Sequence, residues 1–216
     1  MLVSRRDLTW ENGAAMRKAD LEKRCKRFLT SLDRITDRAD RIDKRMRRKS
    51  DRRWGYEMLA VSAVTAWSDF VEDIFYMSVN RDSKALSKSL GLELPRNLTL
   101  PTCEALFTTN GFLDFRSVGE LRGKARKFLG SSHPFADIPS ATGQAIDRLT
   151  AARNFIVHGS RGARAAYRTK VLHASDLTNL VAPGRFLTAR ESGRTRLAAY
   201  LDALRSGAKA VYNALN

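Results

Sequence analysis

The chain has 216 residues, enough to bury one substantial core, and its 39 Lys and Arg against 23 Asp and Glu give a formal net charge of +16. That excess repels itself unless something anionic is the usual partner, and nucleic acid is the simplest candidate. Cys25 and Cys103 lack a Cys-x-x-Cys spacing, no apolar run follows Met1, and the uncharged stretch Met58 to Ser68 falls well short of the roughly 20 residues of a membrane span. A disulfide scaffold and a membrane protein are therefore not expected, and a cytoplasmic location is.

Charge is uneven along the chain. Residues 1–53 hold 18 basic and 9 acidic groups, whereas residues 54–80 hold no basic and 4 acidic ones. From Leu21 the apolar positions run Leu21, Cys25, Phe28, Leu32, Ile35, Ala39, Ile42 and Met46, the four-three alternation of a long helix with a narrow seam. Ser50-Asp51 offers an N-cap for a second helix over about 52–80. Its apolar residues, including Met58, Val61, Val64, Trp67, Phe70, Val71, Ile74 and Phe75, cover more than one face, so it is expected to be central. The short connection predicts an antiparallel hairpin, and the fold class is an all-α antiparallel bundle built on it. One domain is expected over 1–216, with 1–50 a basic helical arm packed on it.

Gly91, Pro95, Pro101 and Gly111 mark residues 91–114 as a loop with short helical pieces, followed by a helix near 116–129 that Gly130 stops. Asp137-Ile138-Pro139-Ser140 starts a helix that ends at Gly159, with Ala145, Leu149, Ala152 and Ile156 on its buried stripe. Residues 160–190 read as a small hairpin (166–172 with 181–188, Pro183-Gly184 the turn) or as irregular loop. A last helix over about 191–215 closes the bundle with Leu197, Leu201, Leu204 and Val211.

An Arg followed a few residues later by a His occurs before each of the three histidines, His133, His158 and His173, so that spacing alone decides nothing in a chain so rich in Arg. Context separates them. Gly130 breaks the helix between Arg126 and His133, and Arg168 to His173 lies in the unassigned segment. Arg153-Asn154-Phe155-Ile156-Val157-His158 lies within one well-signalled helix. There Asn154 and His158 share a face, while Arg153 is displaced from His158 by about 140° and about 7.5 Å along the axis.

Arg153-Asn154-Phe155-Ile156-Val157-His158-Gly159 resembles the hallmark of the HEPN superfamily of all-helical ribonucleases and nucleotide-binding proteins: Arg, a polar residue, then His at this spacing. The run Trp67-Ser68-Asp69-Phe70-Val71-Glu72-Asp73 also looks like that family's earlier helix, of the RiboL-PSP type or a related branch. The resemblance covers roughly residues 54–80 and 137–160. It implies a metal-independent endoribonuclease, with no cofactor, acting on RNA as a toxin or phage-defence effector. It also implies a homodimer that brings two motifs to one cleft, and a possible antitoxin or regulatory partner.

The residues are suited to that chemistry. RNA is cut without metal when its 2′-hydroxyl attacks the adjacent phosphate, which needs proton transfer and a cation for the charge that builds on phosphorus. His158, at a helix C-terminus whose dipole favours imidazolium, is the expected general acid or base. Arg153 would grip phosphate oxygens, and Asn154 would orient His158 or the phosphate. Asp69 or Glu72 would orient Arg153 across the bundle. Arg38, Arg41 and Arg45 of the first helix, with Arg34, Arg48 and Arg161, would contact the RNA backbone, the alternative being a solvated face balanced by Asp33, Asp37 and Asp40. Trp10 and Trp54 are candidates for base stacking or for packing. Two rival readings remain open: a metal site on the helical face of Asp69, Glu72 and Asp73, and a non-catalytic module that binds nucleic acid or a partner.

Overall fold

The computed structural model describes residues 20–108 and 115–214, and the fold is all-α with one very small hairpin. Helix α1 (Leu21–Arg45) starts at Asp20, whose carboxylate accepts from the Lys23 amide at 2.8 Å. Leu21, Cys25, Phe28, Leu32 and Ile35 of its seam are buried, whereas Met46, beyond its end, is exposed. Helix α2 (Lys49–Arg81) follows after three residues and runs back along α1. The pairing is antiparallel throughout: Arg24 is ion-paired with Asp73, Phe28 stacks on Phe70 at 4.6 Å, and Ile42 sits against Gly55. A Cβ on Gly55 would lie 2.8 Å from Ile42 Cδ1, so the Ile42 side chain fills the space that the glycine leaves. The expected cap at Ser50-Asp51 does not form. The helix has already begun at Lys49, and the Ser50 hydroxyl donates to its neighbour Asp51 at 2.9 Å.

Helix α3 (Lys84–Leu90) ends on Gly91 in the left-handed region, and Asn80 anchors the following stretch by donating to the Leu98 carbonyl at 2.6 Å. Helix α4 (Leu100–Thr108) brings Phe107 edge-on to Phe75 and Phe128. The rest of the expected 91–114 loop, residues 109–114, lies outside the described residues. Helix α5 (Val118–Leu129) is capped by Ser117 and stops at Gly130, as its composition predicts. Helix α6 (Ser140–His158) ends on Gly159 at φ 56°. Its buried side carries Ile146, Leu149, Ala151 and Ala152, while Ala145 and Ile156 of the expected stripe are only partly covered.

Within residues 160–190 no hairpin joins 166–172 to 181–188: 161–175 and 183–188 are helical, and only 176–182 between them are irregular. Ser160 caps α7 (Arg161–Tyr167), a π-helical turn continues it over Arg168–Leu172, and a 3₁₀ turn ends it at Ser175. Tyr167, Val171 and Leu172 fall on one side of that winding and are fully buried, so tertiary burial outweighs the alternation that resembles a strand. Pro183 occupies the first turn of α8 (Pro183–Thr188), where its missing N–H costs nothing. Strands β1 (Arg190–Glu191) and β2 (Arg194–Thr195) then form a two-residue ladder, and α9 (Arg196–Asn213) begins at the Thr195 cap, later than expected.

The layers meet at Trp67. Its ring lies 5.8 Å from that of Phe28 on α1, and a Cβ at Gly207 of α9 would be 3.1 Å from both Trp67 Cη2 and Ile146 Cδ1 of α6. The buried residues of α1 join the same continuous core as those of α2, α6 and α9. Cys25 and Cys103 are both buried free thiols, pushed up to about 11 by burial, and neither is poised for redox chemistry. No described helix is long and apolar enough to cross a membrane.

Two outcomes follow from this packing. A Cβ on Gly184 would fall 2.7 Å from the Arg53 carbonyl oxygen and 2.8 Å from Glu57 Oε1, the atom that accepts from the Gly184 amide. Gly184→Ala should therefore cost about 1–3 kcal/mol of stability, read from the urea midpoint. His133 is buried with Nδ1 unpartnered, and burial, then Arg126 and Arg122, push its pKa down against an opposing pull from Asp137. Its folded state resists a proton that the unfolded chain accepts, so stability relative to His133→Leu should hold above about pH 6.5 and decline as pH falls below it. Parallel pH titrations of the thermal midpoints check this, and identical slopes for the two proteins would refute it.

Candidate functional site

The last turns of α6 present the motif. Asn154 Oδ1 accepts from Arg153 Nη1 at 3.0 Å, so the amide holds the guanidinium beside it and is not turned toward His158. Arg153 is half-buried, and its Nε is sealed from solvent without a hydrogen-bond partner. His158, the final residue of α6, is exposed. Gly159 then reverses the chain, and the Gly159 amide donates to the Phe155 carbonyl at 3.0 Å. The reversal lays α7 back along α6, with Phe155 stacked on Tyr167 at 5.3 Å. A fixed Arg and a solvent-facing imidazole thus stand on one rigid helix end.

The surrounding sequence is wholly cationic. Between Asp147 and Asp176 lie Arg148, Arg153, Arg161, Arg164, Arg168 and Lys170, with no carboxylate among them. Arg161 is exposed at the start of α7, as are Arg164, Arg168 and Lys170 further along the same winding. None of the six is ion-paired among the described residues. An anion arriving at the end of α6 meets no competing negative charge from this stretch.

Helix α6 is antiparallel to α2. Ile146 meets Trp67 around Gly207, and at the other end Phe155, Tyr167 and Phe186 lead in sequence of ring contacts to α8, whose Gly184 is bonded to Glu57. A groove of about 150 Å³ lies between the two helices, with Ser68 and Glu72 on one wall and Asp147 and Thr150 on the other. Further along, the same outward face of α2 carries Val61, Met58 and Trp54, about two to four turns from Ser68, and that of α6 carries Asn154, Val157 and His158, about one to two turns from Thr150. Trp54, Met58 and Val157 are 61%, 37% and 47% exposed, so large apolar side chains flank the motif on an open surface.

The acidic residues of α2 occupy other roles. Glu72 accepts from the Tyr76 hydroxyl at 2.7 Å, Asp73 pairs with Arg24, and Asp69 is exposed. Among the described residues no ion pair joins Glu72 to Arg153, and the Arg153 guanidinium donates to Asn154, its immediate neighbour. The Asp69, Glu72 and Asp73 face makes no metal cluster; among the described residues no group of three or more His, Cys, Asp or Glu side chains is placed to hold a metal ion. Asp147 is committed to the Val118 amide at 2.7 Å.

Of the other two pairs, Arg126–His133 is interrupted after Leu129 as its context predicts, whereas Arg168–His173, unassigned from sequence, lies on a continuous helical winding. His133 is buried beside Phe135, and His173 is exposed at the end of the π-helical turn, five residues after an exposed Arg168 that has no amide neighbour holding it. Arg34, Arg38, Arg41, Arg45 and Arg48 are all exposed. Trp54 is exposed and so is not a packing anchor, and Trp10 lies outside the described residues. The Arg153–Asn154 bond and the apolar flank on α2 are what sequence reasoning missed. An i to i+1 side-chain bond has no periodic signal, and Trp54 and Met58 look like core residues until α6 is seen to leave that side of α2 open. Family models, characterised proteins and solved structures were all compared with the chain, and none matches it.

Proposed function

We propose that the chain is a metal-independent endoribonuclease whose site is built from Arg153, Asn154 and His158. The observation that carries this reading is the Arg153–Asn154 pair, fixed one helical turn before an exposed terminal imidazole, in a stretch of chain with no carboxylate. A guanidinium held in place is suited to the equatorial oxygens of a phosphate carrying developing charge. An imidazole with free access to solvent is suited to passing a proton to or from a bound ribose.

In the cleavage step one imidazole removes the proton from a ribose 2′-oxygen, and that oxygen attacks the adjacent phosphorus. The P–O5′ bond breaks and the departing 5′-oxygen takes a proton from a second acid. The products are a 2′,3′-cyclic phosphate and a 5′-hydroxyl, with no water or metal consumed. One α6 supplies a single imidazole, so the reading includes a two-fold dimer that brings two helix ends to one cleft. The exposed Trp54, Met58 and Val157 beside the motif supply apolar surface of the kind such an interface buries. A role as a toxin or defence effector restrained by an antitoxin belongs to the same proposal and follows from the likeness of the motif. A cytoplasmic location belongs to it too.

Three measurements decide it. Wild-type protein should cut single-stranded RNA in EDTA to cyclic-phosphate ends and leave DNA intact, and His158→Ala should cut at least about 100-fold more slowly. RNA binding without cleavage, unchanged in His158→Ala, selects the non-catalytic binding module instead. Trp54→Glu should shift the sedimentation coefficient from dimer to monomer and lower cleavage in parallel, without lowering the thermal midpoint, because its ring packs on solvent in one copy.

A further inference from the structure

The exposed surface of α1 is divided by charge. Lys23, Arg27, Arg34, Arg38, Arg41 and Arg45 succeed one another at intervals of three, four or seven residues and so fall within a sector about 60° wide. All six are exposed, and among the described residues none makes an ion pair. From first to last they extend about 33 Å along the helix. Glu22, Asp33, Asp37 and Asp40 occupy a second sector, centred about 100° away. Lys26, paired with Glu22, and Lys44 also fall in this second sector, whereas the basic sector of the helix holds no carboxylate and is of one sign along its length.

The neighbours of α1 fix which way each sector points. On the acidic flank Asp33 pairs with Arg205 of α9 at 2.9 Å. The opposite flank carries Arg24, paired with Asp73, and Ile42, packed on Gly55, and both partners belong to α2. The basic stripe lies beside this second flank, on the same side of the molecule as the open face of α2 with Trp54 and Met58. The antiparallel order also sets its direction. Arg45 stands near the N-terminal end of α2, and α6, antiparallel to α2, also runs in the direction of that end as it approaches His158. The stripe therefore runs along one side of the bundle toward the end that carries the motif.

We infer that this stripe is a rail for the phosphate backbone of single-stranded RNA, and that it delivers the strand toward the α6 terminus. A duplex winds its phosphates around an axis, so a straight line of cations meets it only where a strand crosses. A flexible single strand can follow the line along its whole length. At the 3.4 Å per nucleotide of a stacked strand, 33 Å corresponds to roughly 10 nucleotides. The delivery step rests on the ribonuclease reading, whereas the binding does not.

Binding is measured on the full chain carrying His158→Ala, so that nothing is cut. Fluorescence anisotropy with RNA of 4 and 12 nucleotides should show at least about tenfold tighter binding of the longer strand, and weaker binding of a 12-base-pair RNA duplex. Adding R34Q, R38Q, R41Q and R45Q together, all at exposed helical positions, should weaken the 12-nucleotide complex at least about tenfold. The same change should lower the slope of log K against log salt by about 3, four contacts at about 0.7 each. Circular dichroism of the quadruple variant checks that the helix is intact, and should that variant unfold, the pair R38Q and R45Q carries the same test with a slope change of about 1.4. Unchanged affinity and slope for RNA would overturn the rail, as would stripe-dependent binding to phosphatidylserine vesicles with none to RNA. Stripe-dependent binding by a protein that never cuts RNA leaves the rail standing and removes the ribonuclease. Cutting with RNA affinity indifferent to the stripe does the reverse.

Discussion

The indole of Trp67 is the point on which the helices are set. It reaches Phe28 on one side and the bare backbone of Gly207 on the other, where Ile146 closes the contact. A Cβ there would crowd both side chains at 3.1 Å, so its absence lets α9 seat against the indole and against Ile146 of α6. That contact helps to set where α6 lies, and its last turn is carried with it. Everything proposed for the motif depends on this placement, since Arg153 and His158 have no loop of their own to position them.

Much of the fold is written in local signals. The four-three seam of α1, the Ser117 and Gly130 limits of α5, and the left-handed Gly159 are each consequences of one or two residues acting on their own backbone. The region after Ser160 is not, because short helical segments there are stabilised by burying Tyr167, Val171, Phe186 and Leu187 in a core built elsewhere in the chain. Propensity over six or seven residues is too weak to declare them. The candidate site was legible to the same degree. His158 at a helix end and Arg153 one turn earlier follow from the sequence, while the sideways bond to Asn154 and the openness of the α2 flank depend on packing that no spacing encodes.

The charge of the protein is organised and not simply large. Several carboxylates are occupied structurally: Asp73 by Arg24, Asp43 by Arg52 and Arg190, Asp33 and Asp202 by Arg205. Apart from Asp202–Arg205 within α9, these pairs join different elements, with the acid of one answering a cation of another. Among the described residues the cations of the α1 stripe and of the stretch from Arg148 to Lys170 have no such partners, so the positive field is concentrated on surfaces that these pairs do not use. Among pairs as exposed as these, each contributes little to stability, and their arrangement matters more for where negative charge is withheld.

The sealed Nε of Arg153 has a consequence for how the molecule ages and evolves. A buried N–H with no acceptor costs on the order of 1–3 kcal/mol, and nothing in the folded chain returns it. A mutation that trades this arginine for an aliphatic residue would then be rewarded by selection for robustness alone. The end of α6 is therefore a place where this sequence departs from its most durable solution.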